Sequence, residues 1–301
     1  MHHSKARSRM SAQGQTATWQ QVRATSALPP QIRHALTRLA RQFRATIGPS
    51  RRAFAIVAGA FWLGYTELVG GRAARTSMLI LYYWPGASSM VPHIVLEEIG
   101  TPYQRQLVNL ARGEHKSDAY LKINPHGKVP ALAVDNTVLT ENIAILTCLA
   151  RRFPEAHLLP DGAVEEARCL SMMAWFASAV HTTFAHIIRP ERFASDKATH
   201  GNLKETARDI FWDNCKEINE LLDGKAWMMG THYTVCDPYA LFFYDLGTRI
   251  KLPMQELATY AAFSRRMLER SAVSKVRLFE EDISKGANAW HGRYYAQPET
   301  L

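Results

Sequence analysis

The chain has only four cysteines among its 301 residues, and their positions exclude two common kinds of cysteine site. Cys148, Cys169, Cys215 and Cys236 form no C-x-x-C pair and have no histidine at zinc-ligand spacing. This distribution predicts neither a metal site nor a disulfide framework. We therefore expect buried thiols in a reducing compartment.

Acidic residues are nearly missing from the first 77 positions. Residues 1–77 hold twelve Lys and Arg against one acid, Glu67, and so carry +11. The whole chain carries +9, which leaves −2 for everything that follows. Because the basic character belongs to this extension, the high pI of about 9.5 does not predict nucleic-acid binding by the folded body.

The same 77 residues also lack a periodic core pattern. The apolar run at 53–71 contains Glu67 and four glycines, which makes it a weak membrane span. Arginines precede the run, and a span with that flank would place the rest of the chain outside the cytoplasm. We expect a basic, low-order extension over 1–77, and a native protein that begins at Met78. A membrane anchor or an organelle transit peptide is the alternative.

An α/β pattern begins at Met78. Residues 79–84 form an apolar and aromatic run that predicts a buried strand, and apolar residues at helical spacing follow up to Gly100. Further strands are predicted at 103–110, 130–134 and 137–139, with helices near 116–122 and 140–152. The order β-α-β-α-β-β-α predicts a small α/β domain over 78–153.

Strand patterns are absent beyond residue 160. A proline-containing linker precedes a helical region over 163–283, and an irregular tail is expected over 284–301. Within this region, Thr234 and Asp237 form a capping box before an apolar helix. The sequence predicts an all-α second domain.

One stretch combines a proline with a strand start. In 124–132, Val129-Pro130 lies between a glycine turn and an apolar strand, where an X-Pro bond is a candidate for the cis form. The backbone of Val129 would then be free to pair with an extended ligand. Glu141 and Asn142 open the next helix, whose N-terminus favours a carboxylate.

Pro92 locates the start of the first helix, because proline is tolerated only in a helix's first turn. The helix must begin at about Ser88 or Ser89. One serine can cap it while the other points its hydroxyl over the N-terminus, where a thiol would have a lowered pKa. The alternative is that both serines only cap and turn the chain.

These motifs together resemble those of a bacterial glutathione S-transferase, closest to the beta class. The matching stretches are 82–89, Pro92-His93-Ile94, 124–132 and 141–145, and the resemblance spans about 78–283. It implies a thioredoxin-like N-terminal domain that binds glutathione as co-substrate, and an all-α C-terminal domain that receives a small hydrophobic electrophile. It also implies a cytoplasmic homodimer with a role in detoxification.

The resemblance also implies roles for individual binding residues. Val129 would pair with the cysteinyl backbone of glutathione beside a cis-Pro130. Glu141 and Asn142 would hold the γ-glutamyl end, and Lys128 would assist with a carboxylate.

The catalytic positions depart from the beta-class pattern. That class has a cysteine where this chain has Ser88, and serine cannot form a mixed disulfide with glutathione. Ser88 can instead donate a hydrogen bond to the thiolate, which favours conjugation over thiol–disulfide exchange. Tyr83 is a further hydroxyl donor, and His181, in a His-x-x-Phe setting, would hydrogen-bond the thiol or polarise the electrophile.

We therefore predict a glutathione transferase. A glutathione-dependent isomerase or dehalogenase is an alternative on the same scaffold. A non-catalytic, transferase-like interaction protein is the alternative from another class, because the cysteine is missing and Asn142 replaces a small residue.

Overall fold

The computed structural model describes residues 78–286, and for residues 284–286 it describes the backbone alone. The predictions made for residues 1–77 and for most of the tail lie outside this range. The first half of the described chain contains the strands and three helices: β1 (Leu79–Tyr83), α1 (Met90–Ile99), β2 (Gln104–Leu107), α2 (Asp118–Leu121), β3 (Ala131–Val134), β4 (Thr137–Thr140) and α3 (Asn142–Arg152). The second half is helical: α4 (Ala163–Trp175), α5 (His181–Ile188), α6 (His200–Leu221), α7 (Cys236–Arg249), α8 (Ala258–Leu268) and α9 (Ser271–Gly286).

The four strands form one mixed sheet in the order β2-β1-β3-β4. β1 pairs in parallel with β2 and antiparallel with β3, and β3 pairs antiparallel with β4. The predicted β-α-β-α-β-β-α order is confirmed by the element order.

β1 is buried on one face and half-buried on the other, although its apolar run predicts a buried strand. Leu79, Leu81 and Tyr83 are buried, while Ile80 and Tyr82 are half-buried. Successive side chains of a strand point to opposite faces, and on the less buried face Tyr82 packs edge-on against Tyr120 of α2, with ring centroids 5.9 Å apart. The apolar run therefore belongs to a strand that is fully buried on one face and carries large, half-buried residues on the other.

α1 begins and ends where the sequence predicts. Pro92 lies in its first turn, and Gly100 ends it in the left-handed conformation (φ 72°) with its N–H donated to the carbonyl of Leu96. The buried face of α1 includes Val91, Ile94 and Val95, which are fully buried. Each such aliphatic side chain contributes about 1.5–3 kcal/mol of burial free energy.

The helical region packs directly on the sheet domain, since α1 contacts both α7 and α9. A single cluster of buried apolar residues runs from β1 through α3 into α4, α6 and α7. The two halves therefore share one core, and the loop that follows β1 lies against the helical region.

The predicted capping box is present, and the hydrogen bonds to the carboxylate of Asp237 are shorter than the one to the hydroxyl of Thr234. Asp237 Oδ2 accepts from the backbone N–H of Thr234 at 2.6 Å, and Asp237 Oδ1 accepts from the N–H of Met228 at 2.8 Å. The hydroxyl of Thr234 accepts only a long bond, 3.4 Å from the N–H of Cys236. Asp237 is fully buried, so its position at the start of α7 also joins the preceding loop to the helix.

The four cysteines are free thiols, and three of them are buried. Cys169 and Cys236 lie with their Sγ atoms 3.4 Å apart between α4 and α7. Within residues 78–286, no group of His, Cys, Asp and Glu side chains is arranged to hold a metal ion. No helix of that same range is long and apolar enough to cross a membrane.

Candidate glutathione site

The two serines before α1 have different surroundings. The hydroxyl of Ser89 is bonded to the backbone of Trp84, donating to its C=O at 3.0 Å and accepting from its N–H at 3.1 Å. Although Ser89 precedes the first residue of α1, its side chain forms no cap hydrogen bond. Within the described chain the hydroxyl of Ser88 has no hydrogen-bond partner, so it is the one available to a ligand.

The loop that carries Ser88 is hydrogen-bonded to two residues of the helical region. Glu280 in α9 accepts from the N–H of Gly86 at 2.9 Å, and Arg249 at the end of α7 donates to the C=O of Gly86 at 3.0 Å. Gly86 has φ 70°, a value that favours glycine. Both backbone polar groups of Gly86, two residues before Ser88, are therefore fixed by residues more than 160 positions away.

Glu280 also binds a buried histidine. His93 Nδ1 lies 3.1 Å from Glu280 Oε1, and both side chains are almost fully buried. Because a carboxylate accepts, Nδ1 is the donor. His93 thereby connects the first turns of α1 to α9. Glu280 in α9 thus binds both α1, through His93, and the loop after β1, through Gly86.

The Val129-Pro130 bond is cis, as the sequence predicts. The loop before it is held by its own polar groups: the C=O of Lys128 accepts from Tyr120 Oη at 2.7 Å and from Asn124 Nδ2 at 2.8 Å. Within residues 78–286, the N–H and C=O of Val129 make no hydrogen bond. An extended ligand can therefore pair with them in the manner of an added strand.

Glu141 has an unusual backbone conformation at the start of α3. Its φ of 66° and ψ of 129° lie outside the regions that residues other than glycine prefer. Such a conformation costs on the order of 1–3 kcal/mol and is retained mainly at functional sites. It places an exposed carboxylate directly before the free N–H groups of a helix of 11 residues.

Asn142 has a role that the sequence did not predict. Its Nδ2 donates to the C=O of Ser88 at 3.2 Å, across 54 positions of sequence. Its Oδ1 is buried and has no partner among the described residues. Burial raises the pKa of the Tyr239 phenol in α7 to about 12, and the side chain of Asn142 acts on this pKa in the opposite direction.

His181 lies directly after an irregular turn. α4 and α5 are joined by a π-helical segment, Phe176–Val180, which shifts the helical register by part of a turn. His181 then packs edge-on against Phe242, with ring centroids 5.6 Å apart. Burial, with a smaller contribution from the charge of Lys128, lowers the pKa of His181 to about 4. The imidazole is therefore neutral at pH 7.

Tyr83 belongs to the core. It is 3% exposed, and its ring contacts His93 and Phe279 at centroid distances of 5.7 and 5.9 Å. Burial, with Glu280 nearby, raises its pKa to about 12. Its predicted part in thiol activation stays a prediction.

Among the predicted site residues, a hydrogen bond joins Asn142 to Ser88, and the charge of Lys128 contributes to the lowered pKa of His181. Sequence reasoning missed Glu280 and Tyr239. Glu280 did leave a signal, since it follows Val273 and Val276 on the buried stripe of α9, where an acid requires a partner. Tyr239 left none, because an aromatic residue within an apolar run reads as core.

This arrangement defines a class of two-domain protein in which a thioredoxin-like sheet domain presents a cis-proline edge next to an all-α domain. The model of the glutathione S-transferase N-terminal domain matches residues 77–151. Glutathione S-transferase GstA of Escherichia coli O157:H7 is 32% identical over 196 residues, which are 64% of this chain and 94% of that protein.

Solved structures agree with the sequence match. A glutathione transferase homologue from Sulfitobacter with bound glutathione has a TM-score of 0.65 and 29% identity, over 67% of this chain and 98% of that one. A beta-class glutathione S-transferase from Sphingomonas chungbukensis has a TM-score of 0.60 and 30% identity, with the same coverage. The chain belongs to the glutathione S-transferase family, and the predicted fold class is confirmed.

Proposed function

We propose that the protein is a glutathione transferase that joins the sulfur of glutathione to a small hydrophobic electrophile. The observation that carries this proposal is a pair of groups without hydrogen-bond partners among the described residues, the backbone of Val129 beside cis-Pro130 and the hydroxyl of Ser88. One can hold a peptide backbone while the other donates to its thiolate. Residues 78–153 would bind glutathione, and residues 163–283 would bind the electrophile.

Glutathione would be bound at three points. Its cysteinyl N–H and C=O would pair with the backbone of Val129. Its γ-glutamyl end would lie at the N-terminus of α3, between Glu141 and the N–H groups that begin at Asn142. Lys128 is an exposed cation beside this edge and would assist with a carboxylate.

The reaction would then require little covalent chemistry from the protein. The thiol of glutathione releases its proton to water, and the hydroxyl of Ser88 donates a hydrogen bond to the thiolate that remains. The sulfur attacks the electrophilic carbon, an S–C bond forms, and the leaving group departs with its electron pair. The protein contributes proximity and a lowered thiol pKa. His181, neutral at pH 7, would hydrogen-bond the thiol or the electrophile.

Serine at position 88 would also disfavour one reaction of the bound thiol, thiol–disulfide exchange. A serine hydroxyl cannot form a mixed disulfide, so this chain would be a poor catalyst of thiol–disulfide exchange. The alternative of a glutathione-dependent isomerase or dehalogenase would use the same bound thiolate on a different electrophile, and an isomerase would break the S–C bond again to regenerate glutathione.

Retention on immobilised glutathione and turnover of 1-chloro-2,4-dinitrobenzene test the proposal. Ser88→Ala should lower kcat/KM, and Ser88→Cys should raise disulfide-exchange activity. Ser171→Ala, which removes an exposed hydroxyl from α4, is the matched control and should change neither. Retention without turnover of any electrophile would favour a non-catalytic interaction protein, and failure to bind glutathione would exclude the transferase.

We also infer, from the resemblance, a cytoplasmic homodimer that acts in detoxification. Light scattering of the purified protein tests the dimer, and cell fractionation tests the compartment.

A further inference from the structure

Two thiol groups are in contact within the helical half of the protein, and neither belongs to the proposed glutathione site. Cys169 lies in α4 and Cys236 is the first residue of α7. Their Sγ atoms are 3.4 Å apart across 67 positions of sequence, and both side chains are fully buried. Within residues 78–286, no hydrogen-bonding contact joins Cys148 or Cys215 to another thiol. The pair is therefore a distinct dithiol site, formed by the packing of α4 on α7.

The backbone around the pair is held in place. Cys236 lies between Thr234 and Asp237, and the carboxylate of Asp237 accepts a hydrogen bond from the N–H of Thr234. At the other end of α4, Phe176 packs edge-on against Tyr239 of α7, with ring centroids 5.6 Å apart. Because α4 and α7 are fixed against each other at both places, the two sulfurs keep their short separation.

The geometry of the pair is close to that of a disulfide. An S–S bond is about 2.0 Å long, so the two sulfurs need to approach by only about 1.4 Å. The backbones are also close, since Cys236 Sγ lies 3.5 Å from the carbonyl oxygen of Cys169. The bond would close a loop of 67 positions and remove conformational freedom from the unfolded chain. A crosslink here should therefore stabilise the helical half.

A cavity of about 130 Å³ leads to the neighbours of the pair. Arg168, which lines the cavity, directly precedes Cys169 in α4. Met228 also lines it and donates its N–H to Asp237, the residue after Cys236. The cavity has room for hydrogen peroxide, since a water-sized molecule needs only about 10–15 Å³. A local opening of the packing around the cavity would then bring the peroxide to the sulfurs.

We propose that Cys169 and Cys236 form a reversible disulfide when the protein is exposed to hydrogen peroxide, and that this crosslink stabilises the helical half. The inference is independent of the proposed transferase function. The hydrogen bond with Cys169 and burial raise the pKa of Cys236, so few thiolates are present at pH 7 and oxidation is slow. The resting protein therefore keeps both thiols.

The reaction takes place in two steps. Hydrogen peroxide oxidises one thiol to a sulfenic acid and is reduced to water as its O–O bond breaks. The sulfur of the second thiol attacks the sulfenic sulfur, an S–S bond forms, and the S–O bond breaks. The hydroxyl leaves with the proton of the second thiol as another water. Whichever thiol is oxidised first, its partner is already in contact, so the disulfide forms before a second peroxide arrives.

The test exposes the native, fully reduced protein to hydrogen peroxide and identifies the products by non-reducing peptide mapping with mass spectrometry. We expect two peptides joined through Cys169 and Cys236, lighter by two hydrogens than the reduced pair and returned to thiols by dithiothreitol. By calorimetry, the crosslinked protein should melt roughly 5–10 °C above the reduced protein. Native protein that yields both residues as thiols, or as separate sulfinic acids, would overturn the proposal.

Two variants separate the crosslink from general oxidation. Cys148→Ser removes the least buried of the four thiols and should leave the crosslink and the melting shift unchanged. Cys236→Ala leaves Cys169 without a partner, so peroxide should neither crosslink this residue nor raise the melting temperature. A native disulfide that forms without raising the melting temperature would overturn the stabilising role of the bond.

Discussion

Asn142 donates a hydrogen bond from its Nδ2 to the C=O of Ser88 at 3.2 Å, and both residues are buried. The first residue of α3, which is expected to meet the γ-glutamyl end of glutathione, thus holds the loop that is expected to meet its thiol. In the proposed binding mode, this hydrogen bond would link binding at one end of the peptide to the orientation of the other.

Asn142→Ala should loosen this link. A neutral hydrogen bond contributes about 0.5–1.5 kcal/mol, so kcat/KM should fall roughly two- to twelvefold. The thiol pKa of bound glutathione, followed by thiolate absorbance across pH, should rise towards its value in water. Asn202→Ala removes an exposed amide on α6 and is the control. An effect confined to the KM of glutathione would indicate direct ligand binding by Asn142 and no role in placing Ser88.

Glu280→Ala should destabilise the protein, because Glu280 binds the loop that carries Ser88. The change leaves the N–H of Gly86 and Nδ1 of His93 without their acceptor in a buried region. Each unsatisfied group costs about 1–3 kcal/mol, so urea denaturation should show a loss of about 2–6 kcal/mol for the two groups together. Glu280→Gln keeps one acceptor oxygen and should lose less. Asp282→Ala, an exposed position of the same helix, should change the free energy of unfolding by under about 0.5 kcal/mol.

Most of the fold could be predicted from local sequence patterns. The strands, the start of α1 at Pro92 and the cis bond at Pro130 each follow from a residue type and its immediate neighbours. The two serines show where such reasoning stops. Nothing next to Ser89 in sequence states that its hydroxyl bonds to the backbone of Trp84 and leaves Ser88 free.

The remaining contacts of the site join distant parts of the chain. The bond from Asn142 to Ser88 spans 54 positions, and that from Gly86 to Glu280 spans 194. Such pairs depend on how α3 and α9 pack, which periodicity alone does not fix. A buried acid on an apolar stripe predicts that a partner exists, but it does not identify the partner.

Gly127→Ala should damage glutathione binding more than stability alone explains. Gly127 has φ 57°, and an added Cβ would lie 2.7 Å from the carbonyl oxygen of His115, so the loop before Val129 must move. Gly113→Ala is a matched control, because Gly113 has φ 77° with nothing within 4 Å of an added Cβ. Both variants should lose about 1–2 kcal/mol for the backbone conformation. Calorimetric titration should show weaker glutathione binding for Gly127→Ala only, and equal affinities would contradict the proposed pairing at Val129.

Asp237→Asn should change how stability depends on pH. Burial raises the pKa of Asp237 from 3.8 to about 7, although N–H donors from Met228 and Thr234 favour the ionised form. Because the folded pKa is raised, the stability that this group contributes is full below pH 3.8 and is lost as pH rises through about 7. Asparagine does not titrate, and it offers one acceptor oxygen where two are used.

The Asp237→Asn variant should therefore be less stable at every pH, and the difference from the native protein should be larger at pH 5 than at pH 8. Urea denaturation at both pH values measures the two differences, with an expected cost of at least about 1–3 kcal/mol for the lost acceptor. Asp209→Asn, at an exposed position of α6, should show no such trend. A cost that is the same at pH 5 and pH 8 would mean that the carboxylate of the capping box is ionised in the folded protein throughout this range, and it would contradict the raised pKa.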